Sequence, residues 1–307
     1  MTAHASSSIA EPAVHPRGWQ LWLAGARPKT LPAAVVPVAV GTAVAEVGHA
    51  AIWWRAALAL VVSLALQVGV NYANDYSDGI RGTDEERVGP LRLVGSKLAT
   101  PSAVRRAMLV SFGVAALAGA ALAAVTSVWL LVVGAAAILA AWFYTGGPKP
   151  YGYAGFGEVF VFTFFGLVAV VGTAFVQTER VTRVAWAAAV PVGFLATALL
   201  VTNNLRDIPG DTTSGKRTLA VRIGDAATRQ LYVALVVAAL AGCVGVAAAV
   251  GSWWPLAGLA AVAVAVAPLK TVRGGAHGRA LIAVLAATGR LQLVFGLLLS
   301  VGLVLAR

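Results

Sequence analysis

Acidic side chains are scarce in this 307-residue chain, and where they fall is its first chemical clue. Of 12 Asp and Glu residues, 8 lie in two short segments: Asp75, Asp78, Asp84, Glu85 and Glu86 in the first, Asp207, Asp211 and Asp225 in the second. The first opens Asn71-Tyr72-Ala73-Asn74-Asp75-Tyr76-Ser77-Asp78. Asn71, Asn74, Asp75 and Asp78 are spaced i, i+3, i+4 and i+7, so on a helix they share one face. Two carboxylates and two amides form an all-oxygen donor set, which suits hard Mg²⁺ shared with a phosphate group. The second reads Thr202-Asn203-Asn204-Leu205-Arg206-Asp207-Ile208-Pro209-Gly210-Asp211, then Gly215-Lys216-Arg217-Thr218-Leu219, with Asn203, Asp207 and Asp211 four apart. Pro209-Gly210 is expected to break the helix near Asp207 and leave Asp211 on a loop. Basic residues follow each acidic segment: Arg81, Arg87 and Arg92 after the first, Lys216, Arg217 and Arg222 after the second. Acid for a metal and base for phosphate oxygens is the pairing that diphosphate chemistry needs.

The elements that must position these residues are membrane helices. The chain is 59% hydrophobic and 11% charged, with a mean hydropathy of +0.83; a soluble chain carries roughly 25% charged residues. Ala107–Pro148 and Gln230–Leu269 contain no Lys, Arg, Asp or Glu. Each is long enough for two spans of about 20 residues and a turn. A cytosolic enzyme, a secreted domain and a single-anchor protein are excluded. One cysteine, Cys243, excludes an intramolecular disulfide, and four scattered histidines argue against a zinc site. Residues 1–18 read as a flexible tail and not as a signal peptide. The expected fold is an all-α polytopic membrane domain over residues 19–307. Nine spans are expected, at 30–48, 56–76, 105–125, 127–145, 157–178, 184–206, 228–249, 252–269 and 280–305. Each acidic segment follows the second helix of a four-helix unit, which suggests two pseudo-repeated halves plus one helix.

With the N-terminus in the cytoplasm, 18 Lys and Arg lie on the cytoplasmic side and 4 on the other. The positive-inside rule thus puts both acidic segments on the cytoplasmic face of a cell membrane. Topology also accounts for the net charge of +11, so no nucleic-acid partner is expected. Clustered carboxylates beside a membrane repel one another and resist desolvation, and a bridging divalent cation removes that penalty. Arg290 lies inside the last span, 11 residues after Arg279. It is expected about 16 Å deep, facing the bundle interior in a structural ion pair or, alternatively, against substrate.

Asn71–Asp78, with Gly82-Thr83-Asp84 and Arg87-Val88-Gly89-Pro90-Leu91-Arg92 after it, resembles the first aspartate motif of the UbiA superfamily of intramembrane prenyltransferases. Asn204-Leu205-Arg206-Asp207 with Asp211 and Gly215–Leu219 resembles its second. Tyr144-Thr145-Gly146-Gly147-Pro148-Lys149-Pro150-Tyr151-Gly152-Tyr153, Gly157-Glu158 and Arg27-Pro28-Lys29-Thr30-Leu31-Pro32 are similar to the branch that prenylates 1,4-dihydroxy-2-naphthoate in menaquinone synthesis. Two positions depart from the superfamily pattern: Gly82 stands where a further Asp is common, with Asp84 two residues later, and Pro209-Gly210 replaces a helix-compatible pair.

The resemblance implies nine helices around a central cavity, Mg²⁺ dependence, a polyprenyl diphosphate donor and an aromatic acceptor. Carried onto matching positions, it implies a metal set of Asn71, Asn74, Asp75, Asp78, Asp84, Asp207 and Asp211. Diphosphate contacts would come from Asn71, Asn74, Asn204, Arg206, Lys149 and Lys216. Asp75, Asp78, Asp207, Asp211 and Lys216 form the catalytic set. Arg27 and Lys29 are candidates to hold either the acceptor carboxylate or the diphosphate. Tyr144 and Tyr151 are candidates to shield an allylic cation by π contact, or are interfacial belt residues. Alternatives are another acceptor (4-hydroxybenzoate or homogentisate), a transporter, and a CDP-alcohol phosphotransferase. Asp75-x-x-Asp78-Gly79 fits a fragment of the last, but its later Asp motif is absent.

Overall fold

A computed structural model describes residues 16–82 and 91–307, and among these residues it is helical with no strand. The helices are α1 (Trp19–Ala26), α2 (Pro32–Val47), α3 (Trp53–Ile80), α4 (Pro101–Val125), α5 (Trp129–Phe143), α6 (Gly157–Thr178), α7 (Arg183–Thr213), α8 (Leu219–Val250), α9 (Trp254–Arg273) and α10 (Arg279–Leu305). The expected tail falls outside the described residues up to position 15, and the first helix opens at Trp19.

All nine expected segments are helical, but they are not equally able to span a bilayer. Among the described residues seven helices are long and apolar enough; α1 and α2 together pass as an eighth, broken by a 57° bend. α5, with 15 residues, falls short of about 20. It stops where the next loop folds back on it: Tyr151 N–H donates to Phe143 O and Gly152 N–H to Tyr144 O. The α1–α2 bend is built from Pro28 and Pro32, each suited to a helix start, and from Arg27, held left-handed at φ 54°.

Thr100, Thr182 and Thr218 cap α4, α7 and α8, each hydroxyl accepting from the N–H three residues on. Exposed Trp53, Trp54, Trp129, Trp186, Trp253 and Trp254 gather at the helix ends opposite the acidic segments, as expected of an interfacial aromatic belt. The interior is small-residue packing, densest around α7. A Cβ on Gly166 would lie 2.5 Å from Gly193 Cα, so glycine there lets α6 approach α7. α6 widens into a π-helical stretch at Phe162–Val168, a form often found at functional sites.

Two expectations are corrected. α7 does not break at Pro209: it continues to Thr213, because proline removes only one helical hydrogen bond near the end of a long, well-packed helix. Asp211 therefore stays on the helix. Arg290 faces outward, on the surface of α10 that carries exposed Leu293, Leu297 and Val301. The inner surface of α10 is filled mainly by apolar and small residues, with Gln292 also buried there, and a long arginine stem can carry its charge toward the interface.

Candidate active site

The helices enclose a cavity of about 1110 Å³. One end is polar and holds parts of both acidic segments; the rest runs along apolar walls that include Val38, Ala59, Leu122, Leu130 and Val176. α3 supplies Asn71, Asn74 and Asp78, and α7 supplies Asn203, Asn204, Arg206, Asp207 and Asp211. A shift of 133 residues superimposes Asn71 on Asn204, Asn74 on Asp207 and Asp78 on Asp211. With α7 unbroken, both triplets have the i, i+3, i+7 spacing of one helix face.

Asp78 is held by several side chains. Lys216 Nζ lies 3.1 Å from its Oδ1, the Tyr153 hydroxyl donates to the same oxygen, and Arg92 Nη2 donates to Oδ2 at 3.3 Å. Asp78, Arg92 and Lys216 are all buried. Asp207 accepts a bidentate pair from Arg206, at 2.7 and 2.9 Å. Arg206 is buried, and its Nη1 has no hydrogen-bond partner among the described residues.

The two asparagines that correspond in the halves are each oriented by one acceptor-only partner, the Ala26 carbonyl for Asn71 and the Glu158 carboxylate for Asn204. Asn71 Nδ2 donates to Ala26 O at 2.9 Å and to Thr30 Oγ1 at 3.2 Å. Asn204 Nδ2 donates to Glu158 Oε1 at 2.9 Å. A backbone carbonyl or a carboxylate cannot donate to an amide, so each side chain must present its nitrogen to the protein and its Oδ1 elsewhere. That leaves carbonyl oxygens suited to a hard cation. Asn74 Oδ1 instead accepts from Thr145 Oγ1 at 2.8 Å.

The structure does not bring every expected residue to the cavity. Asp75 is absent from the lining: its Oδ2 accepts from Leu93 N–H at 2.7 Å and its Oδ1 from Val94 N–H at 2.9 Å. It anchors the segment that carries Arg92. On the helix it sits one residue after Asn74 of the cavity-facing stripe, and its counterpart in α7 is apolar Ile208. Lys149 and Lys29 are exposed and outside the lining, each beside a proline that turns the chain at the rim. Arg27, next to Lys29, does line it. Asp84 lies outside the described residues.

Tyr144 and Tyr151 form an aromatic wall with Phe160 and Phe164. Ring centroids are 5.6 Å apart for Tyr144–Tyr151, 3.9 Å for Tyr151–Phe160 and 6.2 Å for Phe160–Phe164. A Cβ on Gly152 would meet the Tyr144 ring at 2.6 Å, so glycine makes room for that ring. The Tyr151 hydroxyl donates to Ala140 O at 2.8 Å. Burial pushes the Tyr144, Tyr151 and Tyr153 phenols above their ordinary values, with the Asp78 charge adding to the effect at Tyr153. All three are therefore neutral donors near pH 7.

Sequence reasoning missed Tyr153, Thr145 and Glu158 as site residues, and it placed Arg81 only among the basic residues after the first acidic segment. Arg81 meets Thr145 and Tyr153 at the loop after α5, where it donates to Thr145 O and, at 2.5 Å, to Gly147 O. Tyr153 stands two residues after Tyr151 in a stretch already singled out, but sequence alone does not show which ring meets an aspartate. Among the described residues no three His, Cys, Asp or Glu form a ready-made metal cage. The donors fit a cation only when amide oxygens from both halves are counted with the carboxylates.

The sequence profile of the UbiA prenyltransferase family matches residues 34–280. A 1,4-dihydroxy-2-naphthoate octaprenyltransferase of Mycobacterium tuberculosis is 55% identical over 276 residues, 90% of this chain and 94% of that protein. The Escherichia coli protein of the same name is 39% identical over 235 residues, 72% of this chain and 74% of that protein. The solved structure of a UbiA homologue from Archaeoglobus fulgidus bound to DMAPP and Mg²⁺ has a TM-score of 0.62 at 15% identity, covering 92% of this chain and 98% of that one. At that identity the likeness is one of fold.

Proposed function

The chain belongs to the UbiA prenyltransferase family, and from that premise we propose that it is a multi-pass membrane enzyme transferring a polyprenyl group to 1,4-dihydroxy-2-naphthoate. The products are demethylmenaquinol, which is the hydroquinone form of demethylmenaquinone, together with CO₂ and diphosphate. The observation that carries this reading is the 55% identity over 90% of the chain to a relative of that name. The cavity supports it, because a polar end, an aromatic wall and an apolar run are the three surfaces that a diphosphate, an allylic cation with its aromatic acceptor, and an isoprenoid tail require.

Asn71, Asp78, Asn204, Asp207 and Asp211 are the residues that would hold Mg²⁺, and bound there it would supply the positive charge that stabilises a leaving diphosphate. Lys216, Arg92 and Arg206 stand beside these acids and donate to phosphate oxygens as negative charge grows during cleavage of the allylic carbon–oxygen bond. Arg206 lines that end, and its buried Nη1 has no hydrogen-bond partner among the described residues. The isoprenoid tail lies along the apolar walls. Tyr144, Tyr151 and Phe160 shield the delocalised cation and exclude water, which would otherwise capture it. The acceptor ring attacks from the same side, at the carbon bearing its carboxylate. That carboxylate leaves as CO₂ when the new carbon–carbon bond is made, and Arg27 at the rim is placed to hold it beforehand.

The membrane is the cell membrane, with the polar end facing the cytoplasm; the 18-to-4 bias of basic residues supports this orientation. Residues 19–307 form the transferase domain. Incubation of the purified chain with ¹⁴C-carboxyl-labelled acceptor, a polyprenyl diphosphate and Mg²⁺ should release labelled CO₂ in step with prenylated product. Prenylation that retains the label, or turnover with 4-hydroxybenzoate alone, refutes the acceptor assignment.

A further inference from the structure

One well-connected side chain near the polar end is not used by the proposed chemistry. Tyr153 sits on the loop between α5 and α6 and touches both halves of the site. Its hydroxyl donates to Asp78 of the first acidic segment. Its ring lies under the Lys216 ammonium, 4.8 Å from the centroid, and under the Arg81 guanidinium at 5.4 Å. Its carbonyl accepts from Arg217 N–H at 3.0 Å, which fixes the backbone next to Lys216.

We propose that Tyr153 is a positioning residue with two separable functions: its hydroxyl orients Asp78 toward the metal, and its ring holds Lys216 where the leaving diphosphate must be met. The proposal rests on the reading of Asp78 as a metal ligand and of Lys216 as a diphosphate donor. The hydroxyl and Lys216 both occupy Asp78 Oδ1, while Arg92 occupies Oδ2. Lysine is a point charge on a flexible stem, so it is the partner able to move from carboxylate to phosphate. The phenol is rigid and remains on the carboxylate, as groups behind a metal ligand do. The face of the ring gives the ammonium a favourable surface in either position.

The two functions separate by substitution. Tyr153→Phe removes the hydroxyl and keeps the ring; Tyr153→Leu removes both. Mn²⁺ binding to the detergent-purified full chain is read by electron paramagnetic resonance in the presence of pyrophosphate. Inhibition of turnover by pyrophosphate is read separately at saturating Mg²⁺. Tyr153→Phe is expected to weaken Mn²⁺ binding about 10-fold, with pyrophosphate inhibition within about twofold of wild type. Tyr153→Leu is expected to weaken metal binding equally and pyrophosphate inhibition by a further factor of about 5. Asp78→Asn is the reference and should lose Mn²⁺ binding. Wild-type Mn²⁺ affinity in Tyr153→Phe, with the loss intact in Asp78→Asn, overturns the role of Tyr153 and leaves the functional reading standing. Normal Mn²⁺ binding in Asp78→Asn overturns both. Equal effects of Phe and Leu on both readouts mean that the ring has no function separable from the hydroxyl and overturn the proposal. If the Leu variant does not fold, the Phe variant decides the matter through its metal affinity.

Discussion

Replacing Asp78 by Asn should leave two buried cations facing each other, and the cost can be worked from the geometry. Lys216 Nζ is 3.1 Å and Arg92 Nη2 3.3 Å from the carboxylate, and the side chains of Asp78, Lys216 and Arg92 are 4%, 9% and 7% exposed. At an effective dielectric of about 20, each contact carries a gross attraction of about 5 kcal/mol. Desolvation of all three groups offsets much of that, and breaking a buried pair typically costs about 3–5 kcal/mol net. Asp78→Asn is therefore expected to destabilise the metal-free protein by about 3 kcal/mol and Lys216→Met by about 2 kcal/mol. The double variant should cost about 3 kcal/mol and not their sum, because removing the ammonium relieves the repulsion that the first substitution exposes; the coupling is then about 2 kcal/mol. Unfolding by SDS in mixed micelles, without Mg²⁺, measures all four corners of the cycle. Additivity within about 0.5 kcal/mol would show that the two side chains do not share an ion pair and would refute the reasoning.

Asp75→Ala removes the acceptor of two buried amides and should cost about 2 kcal/mol of stability by the same assay. The Mg²⁺ concentration for half-maximal turnover should rise much less than in Asp78→Asn, and an equal rise returns Asp75 to the ligand set. Lys149→Ala should leave the donor KM and pyrophosphate inhibition within about twofold, since the side chain is exposed away from the cavity; a tenfold loss contradicts that placement. Gly172 lines the cavity, and a Cβ there would meet no heavy atom within 4 Å. It lies 14 residues beyond Glu158, about 21 Å along α6, so Gly172→Phe should obstruct the apolar run. Octaprenyl diphosphate should lose at least about tenfold in kcat/KM while geranyl diphosphate is spared; equal loss for both donors would place the tail elsewhere.

Much of this architecture is legible in the sequence because lipid imposes simple rules. Long charge-free runs and the acid-rich segments at their ends located the helices and the polar end of the cavity. What escaped was set by tertiary contacts. The apolar run at 127–145 reads as a full span, but the loop after Tyr144 turns back and ends α5 at Phe143. Pro209-Gly210 reads as a break, but packing carries α7 through to Thr213. Lys149 and Lys29 read as anion ligands because charge type is visible in sequence and direction is not. Arg290 reads as an interior ion-pair partner because depth can be counted, whereas the helix face depends on which neighbours pack against α10.

Asp75 shows how comparing the two acidic segments separates the cavity-lining acids from a supporting one. Spacing alone admits Asp75 and Asp78 equally, since i+4 and i+7 both fall on the face begun by Asn71. The 133-residue shift does not: it pairs Asp78 with Asp211 and Asn74 with Asp207, but Asp75 with Ile208. A position bearing a carboxylate in one half and an aliphatic side chain in the other is a poor candidate for a ligand in a site built from both. The two halves also differ in the loop that leaves the helix. After α3 the chain must return as a segment that brings Arg92 onto Asp78, and the N–H groups of Leu93 and Val94 bond to Asp75. After α7 the corresponding cation, Lys216, comes from a shorter turn in which its own N–H bonds to Asp211 O. The second half closes its turn through the backbone, so it needs no carboxylate at position 208. The extra acid in the first motif follows from a longer loop that must be fastened, and the site itself is left with the residues that the two halves share.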